Sequence, residues 1–485
     1  MTPWRPHLLP ERCTPPVVVA AWRRRGPVVA LETGVPSAAH GAQTLVAGLP
    51  LARFTVQRGA CSLEPLRPGG GAAVVGSRRG VQLGGSTPFH ALQQAVAELA
   101  FAPLPADAPP LGAFGCFGYE CRADPSLPRL APFLDGDFLL TDVVVRWREP
   151  GAPGELWTRD AAQAAHWIEE LAATAPPEEP GPPPASAADP FQSADFPFAD
   201  YDARFARARA ALEAGDSYQL CFTYPLRRRL AGDPFDLWLR LRRDHKAPFS
   251  AYFESGAATL VSCSPERFLR VDRDGRIEAR PMKGTALRPQ DAEACAAASR
   301  ALQGSAKALA ENLMIADLLR HDLGRVAALG SVRAAQPALI EEHATLLQMV
   351  SVIEGRLAAG RTVADLLDSA FPPGSMTGAP KVRAIELLRE LEEGPRGPYS
   401  GILGYLAADG RCDWSVVIRT AACAQGEARV QVGGGLVWDS RSQEEWEESR
   451  AKAAPLLRAL AAEAAASGGA SSAACGGAHR KGGAP

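Results

Sequence analysis

Short apolar runs bounded by turn residues dominate the first 150 positions of this chain. Val28-Val29-Ala30-Leu31 and Phe138-Leu139-Leu140-Thr141-Asp142-Val143-Val144-Val145 predict buried strands. Pro27 precedes the first, where a strand's opening residue need not donate to the ladder. Between them Leu92, Val96 and Leu99 recur at helical spacing and predict a helix over Phe89 to Leu99, opened by a hydroxyl cap at Thr87 and by Pro88 in the first turn. Beyond residue 196 the rhythm changes. A helix is expected from Ala203 to Ala214, stopped by Gly215, followed by strands over Tyr218 to Tyr224, Phe249 to Glu254, Thr259 to Cys263, Arg267 to Val271 and Arg276 to Arg280. Helices then follow at Gly304 to Leu323, Val363 to Ser369 and Lys381 to Glu392. A second strand set comes next, over Gly401 to Ala407, Ser415 to Ala422 and Arg429 to Val432, and a last helix runs from about Ser442 to Ala464. Two strand sets with helices between them predict an α+β (layered α/β) fold with mostly antiparallel sheets.

Punctuation divides the chain into an N-terminal region (15–150), a linker rich in proline, glutamate and alanine (175–190), a main domain (196–462) and a glycine- and serine-rich tail (467–485) expected to be disordered. At 485 residues the chain suits two domains or one large interwoven unit. A net charge of −2 offers no basic field for nucleic acid and favours a small metabolite as target. The ten cysteines form no C-x-x-C pair, and buried free thiols in a reducing cytosol are the expectation. No run approaches the roughly 20 apolar residues of a membrane span, and Met1 to Pro16 lacks a signal-peptide core. A soluble, cytoplasmic protein is expected.

Five polar features carry candidate chemistry. Lys283, in Pro281-Met282-Lys283-Gly284-Thr285, follows a strand-like run and precedes a flexible glycine. An amine held there between carboxylates and apolar walls is a candidate nucleophile. Glu311, in a largely apolar helix, is either favoured by the helix dipole or a hard oxygen ligand for Mg²⁺. Glu445, Glu448 and Lys452 share one helix face, as a solvated ladder or as further ligands, and Gly433-Gly434-Gly435 ahead of them suggest backbone brought close to an anion. The turn Gly374-Ser375-Met376-Thr377-Gly378 offers N–H groups and hydroxyls to a carboxylate, or caps the next helix. Arg419 follows three apolar residues, so burial would demand an anion, either a ligand or a structural Asp or Glu.

Taken together, these motifs closely resemble the chorismate-utilising enzymes, which include anthranilate synthase component I, aminodeoxychorismate synthase component I and the isochorismate and salicylate synthases. The resemblance runs from about Phe196 to Leu460. It implies two antiparallel sheets packed against helices. A lysine at 283, where anthranilate synthases carry alanine, and Gln219 where isochorismate-type enzymes carry lysine, resemble the aminodeoxychorismate branch. Cys221 is similar to a variant of that branch.

For the site, the resemblance implies that Mg²⁺ on Glu311 and Glu448, with Glu445 in its outer shell, neutralises the ring carboxylate of chorismate. Arg419 and Tyr399 hold the enolpyruvyl end with Ser375 and Gly433, Gly434 and Gly435, while Thr285, Gln348 and Lys452 complete the substrate site. Lys283 attacks the ring and Glu266 acts as general acid. The chain has no Gly-x-Cys-x-Gly amidotransferase motif, so a separate glutaminase subunit is implied as the source of ammonia. Departures from the family pattern are Ala308 and Leu309 beside the metal helix, His321 for asparagine, and Gln348 where relatives carry histidine, with His343 read as a surface residue. Anthranilate synthase component I and a non-catalytic chorismate-binding subunit are the alternatives.

Overall fold

A computed structural model describes residues 4–37, 39–66, 87–99, 104–181, 190–192, 195–256, 258–342 and 346–474. Two large sheets organise it, and every strand pairing among the described residues is antiparallel. The first sheet runs in the order Arg5–Leu8, Glu155–Thr158, Val144–Trp147, Thr44–Gly48, Val28–Glu32, Phe249–Ser255, Ala258–Ser264, Thr420–Ala424, Glu427–Leu436, Gln219–Arg229 and Gly378–Ala379. The second runs Met282–Leu287, Leu346–Arg356, Arg276–Ala279, Arg267–Val271, Cys412–Val416, Ile402–Ala407, Gly112–Phe117, Gly136–Thr141, Ala52–Gln57 and Ala60–Pro65, with Arg333–Glu342 also pairing Leu346–Arg356. The fold is therefore α+β, two antiparallel sheets with helices packed against them.

The segments 15–150 and 196–462 share both sheets: Val28–Glu32 pairs Phe249–Ser255, and Gly112–Phe117 pairs Ile402–Ala407. This is the interwoven arrangement rather than two separate cores. The inner faces meet in a core that includes Phe114, Leu139, Phe253, Leu260 and Leu403, all buried.

Several elements differ from the sequence reading. The apolar runs 138–145 and 415–422 are not single strands. Each breaks in the middle, and its halves enter different sheets: Gly136–Thr141 and Val144–Trp147, then Cys412–Val416 and Thr420–Ala424. At the first break the Thr141 hydroxyl accepts from Val143 N (3.0 Å) and donates to Gly48 O (2.7 Å), which satisfies the turning backbone. The helix expected over Gly304 to Leu323 is Ala306–Gly324, opened by the Ser305 hydroxyl on Ala308 N, and a further helix, Ala292–Gln303, precedes it. Thr87 precedes the helix Pro88–Glu98 but bonds His90 Nδ1 (2.8 Å) instead of capping the backbone. The last helix continues to Ala474, into the expected tail, with Pro455 inside it; 475–485 lie outside the described residues. Residues 175–181 of the linker belong to no helix or strand, and Arg240 and Arg243 donate to the carbonyls of Gly181 and Pro180. Residues 182–189 and His343 lie outside the described residues. No helix among the described residues is long and apolar enough to cross a membrane, and the nine described cysteines are buried and free.

Candidate active site

Two crossings between the sheets build the centre of the site. The chain leaves the first sheet at Ser264 and enters the second at Arg267, which puts Glu266 at the crossing. It returns between Val416 and Thr420, which puts Arg419 at the other. The two crossings are stitched together: Val416 N donates to Glu266 O (3.0 Å), and Cys263 N donates to Arg419 O (3.0 Å). Arg419 adopts φ +48° and Ser400, directly after Tyr399, φ +65°. Left-handed backbone at non-glycine residues costs of order 1–3 kcal/mol and concentrates at functional sites.

All the residues selected from sequence line one cavity of about 290 Å³ at this junction. Glu266, Ser375, Tyr399 and Arg419 form its inner end. Glu266 is only 5% exposed. Burial pushes its carboxyl up to about 7; the nearby Ser375 hydroxyl, Lys283 and Arg419 offset part of that cost. Ser375 Oγ is close to the carboxylate but outside ordinary hydrogen-bond geometry, and it is left without a partner. Arg419 makes no ion pair or side-chain hydrogen bond among the described residues. The structural Asp or Glu that its burial called for is absent there, and desolvation lowers its pKa against only the distant pull of Cys263 and Glu266. Tyr399 is buried, and its phenol is pushed up for that reason.

Lys283 enters from the opposite wall. It sits in the edge strand Met282–Leu287, a strand separate from Arg276–Ala279 and not expected from the sequence, and Gly284 beside it takes φ +83°. The three glycines lie within the strand Glu427–Leu436, not in a loop before the helix. A Cβ on Gly435 would stand 2.5 Å from Lys283 Nζ, so its absence makes the space the ammonium occupies. On Gly434 a Cβ would stand 3.2 Å from Glu445 Oε2, whereas on Gly433 it would stand 2.0 Å from Phe222 O of the neighbouring strand. Gly433 therefore serves sheet packing first. Lys283 is half-buried and makes no ion pair among the described residues, yet its charge acts on Glu266, Glu311 and Glu448. Thr285 is exposed at the rim, in register with buried Gln348.

The three selected glutamates face the cavity from the helices Ala306–Gly324 and Ser442–Ala474. Burial raises the carboxyl of half-buried Glu311; Lys283 and Lys307 pull it down, while Glu445 and Glu448 push it further up. Glu445 is buried and accepts from Lys307 Nζ (3.1 Å) and Ser440 Oγ (2.7 Å). Glu448 pairs with Lys452 at 2.6 Å, which lowers its carboxyl, and 58% of its side chain remains open to water. Among the described residues no three His, Cys, Asp or Glu side chains close to metal-holding distance. The donor set nonetheless suits a hard divalent cation: Glu311 has no ion-pair partner there, Glu448 is accessible, and Mg²⁺ takes one or two carboxylates with water and ligand oxygens.

Lys307 and Asn312 were not selected from the sequence, and Gln219 was read only for the branch it marks. Lys307, one turn before Glu311, holds Glu445 from the helix that carries Glu311. Asn312 donates to Met349 O (3.1 Å) and accepts from Ser351, tying the Glu311 helix to the strand that carries Gln348. A buried asparagine on an apolar helix face was the available signal. Gln219 is fully buried with both amide atoms unpartnered, and its Nε2 lies 3.0 Å from the Gly435 Cβ position.

An amine, a carboxylic acid half protonated near neutrality, an unpaired guanidinium and a patch of carboxylates thus surround one small space, an arrangement suited to acid-assisted substitution on a small polyanion. The chorismate binding enzyme family matches residues 66–458. An aminodeoxychorismate synthase component 1 of Klebsiella aerogenes is 34% identical over 472 residues, 94% of this chain and 98% of that protein. An aminodeoxychorismate synthase of Streptomyces griseus is 45% identical over 249 residues, 51% of this chain; the chain spans only 34% of that relative's length. The crystal structure of anthranilate synthase component I from Streptococcus pneumoniae shares the fold with a TM-score of 0.72 at 23% identity, covering 87% of this chain and 94% of that one. Matched over most of its length by that family and by a full-length relative, the chain belongs to the chorismate binding enzymes.

Proposed function

We propose that the chain is the chorismate-aminating component of an aminodeoxychorismate synthase, converting chorismate and ammonia to 4-amino-4-deoxychorismate. The observation that carries this reading is Lys283, whose ammonium fills the space left by Gly435 inside the cavity that also holds Glu266. Lys283, as the free amine, attacks C2 of the ring; both ring double bonds shift and the C4–oxygen bond breaks. Glu266, protonated in part at neutral pH, gives its proton to the departing hydroxyl, which leaves as water. Ammonia then attacks C4, both double bonds shift back, and the bond between C2 and Lys283 breaks. The proton shed by the new ammonium returns to Glu266. Splitting one displacement into two is the gain of covalent catalysis. Arg419 supplies a guanidinium fork for the enolpyruvyl carboxylate, with Tyr399 and Ser375 beside it and Thr285, Gln348, Lys452 and the backbone of Gly433 to Gly435 around the ring. Mg²⁺ bound by Glu311 and Glu448, with Glu445 behind them, would neutralise the ring carboxylate. Ammonia would come from a separate glutaminase subunit, and the buried free thiols fit a reducing cytoplasm.

Mass analysis of products from chorismate, Mg²⁺ and ammonium tests the reading. Aminodeoxychorismate is expected, with Lys283→Ala forming none while still binding chorismate. Anthranilate and pyruvate as products would assign the chain to the anthranilate branch, and a fully active Lys283→Ala would remove the covalent step.

A further inference from the structure

Behind the cavity, touching none of its space, lies Arg396, 1% exposed with all five N–H donors used. Nε and Nη2 grip Glu392 at 2.8 and 2.6 Å, Nη1 donates to Met376 O (2.6 Å) and Ser400 Oγ (3.0 Å), and Nη2 also donates to Cys221 O (2.8 Å). The guanidinium packs over the Tyr119 ring at 4.4 Å, and the Arg396 and Gly397 amides both donate to buried Glu120. Its acceptors belong to three separate walls of the cavity. Cys221 lies on the strand Gln219–Arg229, Met376 ends the turn that carries Ser375, and Ser400 follows Tyr399 with its left-handed backbone. Glu392 extends the hold by accepting from Thr223 N and Oγ1, and Thr223 Oγ1 accepts from Gln431, a fourth wall residue.

We infer that Arg396 is a positioning residue, which fixes Ser375, Tyr399 and the Cys221 strand relative to Glu266 from outside the cavity. A carbonyl is fixed in place only as well as its donor is. Here one rigid planar group serves two carbonyls, a hydroxyl and a carboxylate at once, which the point charge of a lysine does not reproduce. The inference rests on the proposed amination, since it concerns alignment for that reaction. Arg419 and the glutamates Glu311, Glu445 and Glu448, which would anchor the substrate charges, share no hydrogen bond or ion pair with Arg396 among the described residues. Loss of the fork should therefore act on turnover more than on ground-state binding. Misplacement of catalytic groups by about 1 Å costs up to about 100-fold.

The test is steady-state kinetics with chorismate, Mg²⁺ and ammonium on Arg396→Lys, which keeps a cation beside Glu392, with unfolding followed in parallel. The expected result is kcat reduced tenfold or more, KM for chorismate within threefold of wild type, and a folded protein at assay temperature. Should Arg396→Lys fail to fold, the double variant Arg396→Gln, Glu392→Gln removes both charges of the buried pair together, leaves Glu120 its two backbone donors, and is expected to show the same split. A folded variant with kcat within twofold of wild type, or with its loss confined to KM, overturns the positioning role alone. Wild-type protein that forms no aminodeoxychorismate overturns the functional reading and this inference together.

Discussion

Glu266→Gln offers a test in which stability and activity move in opposite directions. Wild-type Glu266 carries a carboxyl raised from an ordinary 4.5 to about 7 by burial. Between those values the folded chain holds a proton that the unfolded chain has released. Stability therefore falls as pH rises through that window, the reverse of a salt-bridged carboxylate. The difference of about 2.5 pH units corresponds to on the order of 3 kcal/mol at pH 8, and to less than about 1 kcal/mol at pH 5. Glutamine mimics the protonated acid and escapes the cost. For a chain of this length the unfolding entropy near the midpoint is about 1 kcal/mol per kelvin, so the variant should unfold about 3 °C above wild type at pH 8 and within about 1 °C of it at pH 5. Scanning calorimetry of both proteins at the two pH values measures this. The same variant should lose roughly 10²- to 10⁴-fold in kcat, since it cannot give up the proton. In wild type, kcat/KM should decline as pH rises past about 7 as the acid is lost, and in Glu266→Gln that limb should vanish. A midpoint difference of equal size at pH 5 and pH 8 would refute the account, because a packing effect carries no such pH dependence.

Two glycine substitutions separate site from scaffold. Gly435→Ala should fold normally and lose most activity, because its Cβ would displace a flexible lysine tip, whereas Gly433→Ala should fail to accumulate as soluble protein, because its Cβ would meet the Phe222 carbonyl; activity per folded molecule and soluble yield report the two outcomes. Arg419→Ala should raise KM for chorismate by roughly tenfold or more, the worth of a charge-assisted hydrogen bond, without lowering the unfolding temperature, since no protein partner is orphaned; a drop of several degrees would mean a structural role. Treatment with EDTA should inactivate the enzyme and added Mg²⁺ should restore it, and turnover indifferent to chelator would contradict the role of Glu311 and Glu448.

Residue chemistry was legible in the sequence to the extent that it was tied to a local pattern. Lys283 before glycine, the paired glutamates on one helix face and Arg419 after an apolar run could each be picked out, because each is unusual for its surroundings. Sheet membership could not. A continuous apolar run such as 415–422 looks alike whether it stays in one sheet or crosses to another, and the turn at Arg419 that splits it has no glycine or proline to announce it. The strands Met282–Leu287 and Arg333–Glu342 were missed for the opposite reason: both lie at the margin of the second sheet, are partly exposed and alternate weakly. The helix Pro234–Asp244 carried Asp233 as a cap and Pro234 in its first turn, yet arginines among its apolar positions blurred the pattern. Lys307 belongs to the site only because its helix faces the one bearing Glu445, 138 residues away in sequence.

Polar satisfaction divides the interior into two kinds of group. Behind the cavity Arg396 uses every donor, and Asn312 and Ser351 complete each other. Inside it Arg419 lacks an anion, Ser375 and Gln219 lack partners, and Glu266 stands where ionisation is costly. Unpartnered buried polar atoms also occur away from the cavity, at Trp22, Gln57, Tyr201 and Ser255 among others, and each unmade bond costs about 1–3 kcal/mol wherever it falls. What sets the cavity group apart is charge: Glu266, Lys283 and Arg419 line one space, and none of them forms an ion pair among the described residues. A small dianion entering that space would complete the guanidinium, the hydroxyl and the ammonium together, so the same deficits that weaken the empty protein supply its affinity.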